Sequence, residues 1–182
     1  MKIILAVLVI IVAAIGGVAG FIWSGTYNVA ATVHHWDFTY ELLREARDRS
    51  IEAHGQGIKA PSLKDPKLQE GGMHEFHEMC RLCHGAPGYP NSEFAQGLYP
   101  APPNLATKYV QTWDDGQLFW IVKNGIKMTG MPSFGVTHGD NELWTIIAFL
   151  RRLPELKPEV YEGLVKSRET SGEEESLHRH EH

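Results

Sequence analysis

Apolar and polar positions divide the chain into stretches of unlike character. From Ile3 to Trp23, IILAVLVIIVAAIGGVAGFIW, no charged or strongly polar side chain interrupts the run. About twenty such residues, rising about 1.5 Å each, cross a hydrocarbon core of roughly 30 Å. Residues 1–25 are therefore expected to be a transmembrane signal-anchor. Lys2 and the α-amino group favour the cytoplasmic side, and Trp23 and Tyr27 suit the far interface, so the chain beyond residue 25 is expected outside the cytoplasm. Val18-Ala19-Gly20 offers small residues to a peptidase, which makes a cleaved signal peptide the competing reading. Both readings export the remainder of the chain.

Residues 26–66 change the pattern twice. A juxtamembrane linker ending in Thr32-Val33-His34-His35 gives way to WDFTYELLREARDRSIEAHG. There Trp36, Tyr40, Leu43, Arg47 and Ile51 recur every three or four positions, and acids precede bases on the rest of the surface, as in a solvated helix face. Gly55 and Gly57 end this amphipathic helix. It reads as a stalk or clamp, packed on the main domain or on lipid headgroups, with docking to a membrane partner as the sharper alternative. A proline-punctuated connector, KAPSLKDPK, comes next.

From residue 67 to 158 helical periods return and a folded domain is expected. One helix runs through LQEGGMHEFHEMC, and Gly85 to Pro103 holds too many breakers for regular structure. A second helix, in TWDDGQLFWIVKNG, is capped by Thr112 or Asp114 and closed by Gly125. After a loop, DNELWTIIAFLRRL forms a last helix, capped by Asp140 and stopped by Pro154. No strand pattern appears, so the fold is expected to be all-α. Residues 159–182 are polar, with a GEEE run and a terminal HRHEH, and are expected to be disordered.

Composition alters this picture little. The length of 182 residues allows one compact domain with appendages, and the net charge of −5 gives no reason to expect nucleic-acid binding. The two cysteines are too few for a disulfide framework. Both lie in one stretch, HEMCRLCHGAPG, where Cys80, Cys83 and His84 fall within five positions. A thioredoxin-like dithiol should adjoin a βαβ pattern, which is lacking. A zinc site needs four ligands, often as two separated pairs, and here His74, His77, Cys80, Cys83 and His84 crowd into one segment. C-x-x-C-H is also the attachment signature of c-type haem: two thiols add to the vinyl groups and the histidine lies beneath the iron.

The surroundings favour the last reading, because the chain resembles class I (mono-haem) cytochrome c. Gly72, Phe76 and Cys80 stand at i, i+4 and i+8 on one helical face, the glycine suited to a close crossing by the C-terminal helix. Trp144, Ile147, Ala148 and Phe149 are that helix's candidates for the contact. The resemblance extends to Pro102-Pro103-Asn104-Leu105. It implies that the Pro103 carbonyl, with Pro102 second, accepts the Nδ1–H of His84, the proximal iron ligand. It further implies a distal loop in KNGIKMTGMPSFG, with Met131 as the distal ligand and Met128 its competitor. One covalently attached haem c would be bound through Cys80 and Cys83, with Phe76, Pro103, Trp120 and Phe134 lining its pocket.

The function so implied is that of a membrane-anchored carrier of single electrons between a redox donor and acceptor, not that of a catalyst. Two other readings stand beside it: a fixed electron-transfer subunit of a larger membrane dehydrogenase or oxidase, and a gas sensor in which Met131 yields its place. Several residues carry blander expectations. His74 and His77 read as surface histidines, His34, His35 and His54 as interfacial or solvated, and Phe119 as pocket packing. Trp113 is a candidate donor to a propionate. HRHEH would bind divalent transition metals only weakly.

Overall fold

A computed structural model describes residues 1–179, and these fall into two units, Met1–His34 and the remainder. The first contains helix α1 (Lys2–Trp23), which buries no residue and has a mean hydropathy of 2.9. Its length and composition suffice to cross a membrane.

The second unit is built on α2 (Asp37–Gly55), α3 (Pro66–Glu75), α4 (Asp115–Asn124), α5 (Asp140–Arg152) and α6 (Pro158–Arg179). Helix α3 continues through a π turn, Phe76–Cys80, and one more α turn, Arg81–His84. Single helical turns at Glu93–Gln96 and Lys108–Gln111 punctuate the long loop before α4. Among the described residues there is no strand beyond an isolated Ala86–Tyr89 bridge. The fold is all-α, as the periodicity predicts.

Helix α3 starts where its sequence says it should. The Asp65 carboxylate accepts from Lys67 N–H at 3.0 Å, and Pro66 takes the first helical position, where no N–H is needed. The helix then crosses α5 at Gly72. A Cβ there would lie 1.9 Å from the Thr145 carbonyl oxygen and 2.4 Å from its carbon, so two backbones touch. Around this point Phe76, Leu143, Ile146, Ile147 and Phe149 are buried. Phe76 and Phe149 meet with ring centroids 5.2 Å apart. Each such side chain contributes about 1.5–3 kcal/mol on burial, so the five together far exceed a helix cap worth about 1 kcal/mol. The crossing, not the caps, holds α3 to α5.

Caps nonetheless set the frame of the helices. Asp114 caps α4 in a reciprocal box with Gln117, at 2.8 and 2.9 Å, whereas the Thr112 hydroxyl donates backwards to the Tyr109 carbonyl. For α5 the expected cap, Asp140, is instead the first helical residue. Gly139 occupies the cap position, and its N–H donates to Glu142 at 2.8 Å. Asp140 remains favourable there, because a carboxylate in the first turn meets the positive end of the helix dipole. It also pairs with Lys123 at 2.6 Å.

One expectation changes. The disordered tail from residue 159 is replaced by α6, in which Tyr161 is 0% exposed and Val165 is buried. Tyr161, Leu164 and Val165 stand at i, i+3 and i+4 within a polar sequence, and this narrow stripe packs on the same core as Phe149. The last three residues, including His180 and His182 of HRHEH, lie outside the described ones. Helix α2 packs on the domain, one of the two places expected for it. Its C-terminal half joins the domain: Ile51 is buried, Arg47 donates to the Tyr109 hydroxyl at 3.0 Å, and His54 stacks on Trp120. Trp36 and Leu43, expected on the docked face, are exposed.

The crossing yields a direct test. Gly72→Ala places a methyl group against backbone that cannot rotate away, and should cost about 1–3 kcal/mol, the usual range for overpacking. Chemical denaturation of the cofactor-loaded protein should show a lower midpoint at unchanged slope, and Gly71→Ala, whose Cβ would meet only Thr145 side-chain atoms at 3.7 Å or more, should not.

Candidate functional site

The motif HEMCRLCHG leaves α3 through the π turn, in which Arg81 N–H donates to the Phe76 carbonyl five residues back. One extra residue in the turn rotates the next residues by roughly 100° against an ideal α-helix. Cys80 is buried, while Cys83 and His84 are half-buried, and neither thiol forms a disulfide. Burial pushes the Cys80 thiol up to about 12, with Cys83 acting in the same direction. After His84 the chain reverses. Gly85 N–H donates to the Arg81 carbonyl at 2.8 Å, and Ala86 and Tyr89 exchange two backbone hydrogen bonds of 2.8 Å.

His84 is oriented from outside its own helix. Its Nδ1 lies 2.7 Å from the Pro103 carbonyl oxygen, which fixes that nitrogen as the N–H donor and leaves Nε2 as the free base. Burial lowers the His84 pKa and the Pro103 hydrogen bond opposes the shift, so the ring favours its neutral, ligating form. Pro103 is in turn held by the loop after it. Gln111 donates through Nε2 to the carbonyls of Leu105 at 2.9 Å and Leu150 at 3.2 Å, tying this loop to α5. Arg151 completes the brace, pairing with Asp115 at 2.7 Å and donating to the carbonyls of Gln111 and Trp113. Neither Gln111 nor Arg151 stands out in the sequence, because most of their partners are backbone carbonyls and Asp115 lies 36 residues from Arg151.

The loop after α4 separates the two methionines. Met128 is 90% exposed and holds a left-handed φ of +59°. Met131 is half-buried and packs on the hydrophobic core. Its backbone is pinned on both sides: its N–H donates to the Thr129 hydroxyl at 3.1 Å, and its carbonyl accepts from Ile126 N–H at 3.1 Å. The Thr129 hydroxyl itself donates to the Ile126 carbonyl at 2.8 Å. Gly125, with φ of +67°, closes α4 so tightly that a Cβ would lie 2.6 Å from Pro132 backbone. Thr129 is a positioning residue whose role the sequence hides, since a loop threonine ordinarily faces water.

The aromatic positions divide. Phe76 lies in the core beneath Cys80, and Phe134 is half-buried on a 3₁₀ turn, Phe134–Val136. Phe119 is buried and stacks on Trp144 at 4.2 Å, whereas Trp120 turns the other way and stacks on His54 of α2 at 5.3 Å. Trp113 is half-buried edge-on to Tyr109. His74 is exposed, as expected. His77 is not a simple surface histidine: its Nδ1 lies 2.9 Å from the Tyr161 hydroxyl, and its ring packs edge-on against Tyr89. The arrival of α6 over this helix face is the physical reason.

Among the described residues no group of three or more His, Cys, Asp or Glu side chains is placed to hold a metal ion. Two thiols on one turn, an imidazole with its outer nitrogen engaged and a pinned thioether make instead a soft donor set. A family comparison covers the same stretch of chain. Residues 66–150 match the family described as "Cytochrome C oxidase, cbb3-type, subunit III". This segment is a class I cytochrome c domain. No curated protein matches the chain. Covalently bound haem c is the cofactor of such a domain, and electron transfer through it is the chemistry of the family. The residues present in the cytochrome domain fit that group.

Thr129→Val tests the loop. Losing a hydroxyl that both donates and accepts should cost about 1–3 kcal/mol, and the unfolding midpoint of the haem-loaded cytochrome should fall accordingly. Lys127→Ala, in the same loop and exposed, should leave it unchanged.

Proposed function

We propose that this protein is a membrane-anchored monohaem cytochrome c that carries single electrons between redox proteins outside the cytoplasm. The observation that carries the proposal is the 2.7 Å contact from His84 Nδ1 to the Pro103 carbonyl, because it prepares one histidine, next to a C-x-x-C pair, to offer Nε2 as a ligand. In this reading Cys80 and Cys83 form the thioether links, His84 is the proximal ligand and Met131 the distal one. Phe76, Pro103 and Phe134 line the pocket, while the stacking of Trp120 on His54 places it at the junction with α2. Helix α1 supplies the anchor, with Lys2 on the cytoplasmic side.

Each protein group then has a defined task. The bound haem supplies a one-electron iron couple. His84, held by Pro103, would offer Nε2 in a fixed ring orientation, and the Met131 backbone, bonded to Ile126 and Thr129, would present its sulfur without a costly loop rearrangement. A soft thioether favours the reduced state and raises the potential. Were His84 and Met131 both to hold the iron, they would leave no position open to a substrate or a gas, which argues for a carrier over a catalyst or sensor. Anchoring confines the carrier to the membrane surface and raises the effective concentration of its partners.

A second reading makes this chain a fixed electron-transfer subunit of a larger membrane complex. It is favoured by α2, which lies outside the matched segment yet is welded to the cytochrome domain through Ile51 and the His54–Trp120 stack. Gentle solubilisation separates the two readings: a carrier purifies alone, and a fixed subunit brings its neighbours.

Replacing the methionines tests the ligand assignment. Met131→Ala should abolish the weak red charge-transfer band of sulfur-ligated ferric haem and produce a high-spin spectrum. Met128→Ala should leave both spectrum and potential unchanged. The reverse pattern would transfer the distal role to Met128.

A further inference from the structure

Helix α2 presents two apolar faces, of which the domain uses one. The docked face carries Ile51, Arg47 and His54. On the other side Phe38, Leu42 and Ala46 stand at i, i+4 and i+8 on one helical stripe, with Leu43 at its edge, and all four are exposed. Phe38 is 79% exposed and Leu42 57%, and Trp36 at the N-cap is 65% exposed. Beside this stripe Glu41 pairs with Arg44, and one to three turns further along the helix Arg49 pairs with Glu45 and Glu52, so the apolar character belongs to the N-terminal turns. A solvated helix would show charges opposite its docked face along its whole length. Here Glu45 and Arg49 do so only further on, while the first two turns show a phenylalanine and two leucines within six residues.

The chain immediately before α2 indicates what covers the stripe. From Ile3 through Trp36 there is no Asp, Glu, Lys or Arg, so the uncharged run does not stop where the membrane-spanning helix ends at Trp23. It continues through residues 24–36, where Val29 and Val33 are exposed, and the first carboxylate is Asp37, at the first turn of α2. A segment leaving a bilayer into water has no physical reason to avoid charge over this length. One that stays in the headgroup region does, and Trp and Tyr favour that region.

We propose that the Phe38–Leu42–Leu43–Ala46 stripe of α2 seats on the lipid surface, so that α2 is an interfacial helix with the cytochrome domain on its other face. The inference rests on the anchored reading above. Its consequence is that the haem domain does not swing on a free tether: α2 fixes which side of the domain faces the bilayer.

Single cysteines report the seating in the full-length, haem-loaded protein reconstituted into phosphatidylcholine vesicles. The parent chain comes first. Vesicle flotation tests the anchor, and absence of labelling by a charged maleimide tests whether Cys80 and Cys83 are committed to haem, so failure of either reading is seen separately. Phe38→Cys and Leu42→Cys should then react with the charged maleimide about tenfold or more slower than Glu41→Cys, on the flank of the helix, because an apolar boundary disfavours both thiolate and reagent. Equal rates at the three positions would overturn the proposal. Disulfide-linked dimers formed through position 42 would assign the stripe to a second copy of the chain and overturn it likewise.

Discussion

The contact between Gly72 and the Thr145 carbonyl is the constraint on which the rest of the domain depends. Two helices can approach until their backbones touch only where one lacks a side chain, and the position along each helix where this happens sets the register of both. From that point the Phe76–Phe149 contact comes within one turn, and Cys80 within two. The C-x-x-C-H motif therefore leaves the crossing at a fixed height and angle. A looser crossing would leave the thiols without a defined place relative to Pro103 and Met131, which arrive from different loops.

What the crossing does for the cysteines, backbone carbonyls do for the other side of the site. Pro103 aims His84, Gln111 and Arg151 hold the Pro103 loop and its surroundings to α5, and Ile126 with Thr129 holds Met131. These braces are side chains or amides bonded to main-chain oxygens, a kind of contact indifferent to what the carbonyl's own residue is. Such a network tolerates sequence change at most of its acceptors while demanding particular donors. It also removes polar groups from a region that must exclude water around a redox centre.

The sequence exposed the parts of this design that depend on residue type and local spacing. Gly72 and Phe76 could be read because a helix repeats every 3.6 residues, and Asp114 because caps have a restricted chemistry. Other features were not legible, for physical reasons. The π turn at Phe76–Cys80 leaves no compositional trace, since it is a choice of hydrogen-bond partner made by the backbone. The cap of α5 moved by one residue because glycine and aspartate both suit that position and Glu142 decides between them. Helix α6 was masked by its polar majority, for only Tyr161, Leu164 and Val165 betray a buried stripe, and three residues are too few to outweigh their neighbours. The split between Phe119 and Trp120 arises from α2 docking on α4, a long-range event no local pattern records.

The burial of Tyr161 also redraws the border of the folding unit. The segment shared with the family closes at residue 150, but a tyrosine eleven positions further on fills the core beside Phe149 and bonds to His77, only three residues ahead of Cys80. Transplanting residues 66–150 into another protein would carry over the motif and leave behind one wall of the helix that bears it. The natural unit of exchange is longer at both ends: α2 closes it on one side and α6 on the other, so this cytochrome travels as a cassette with its own covers.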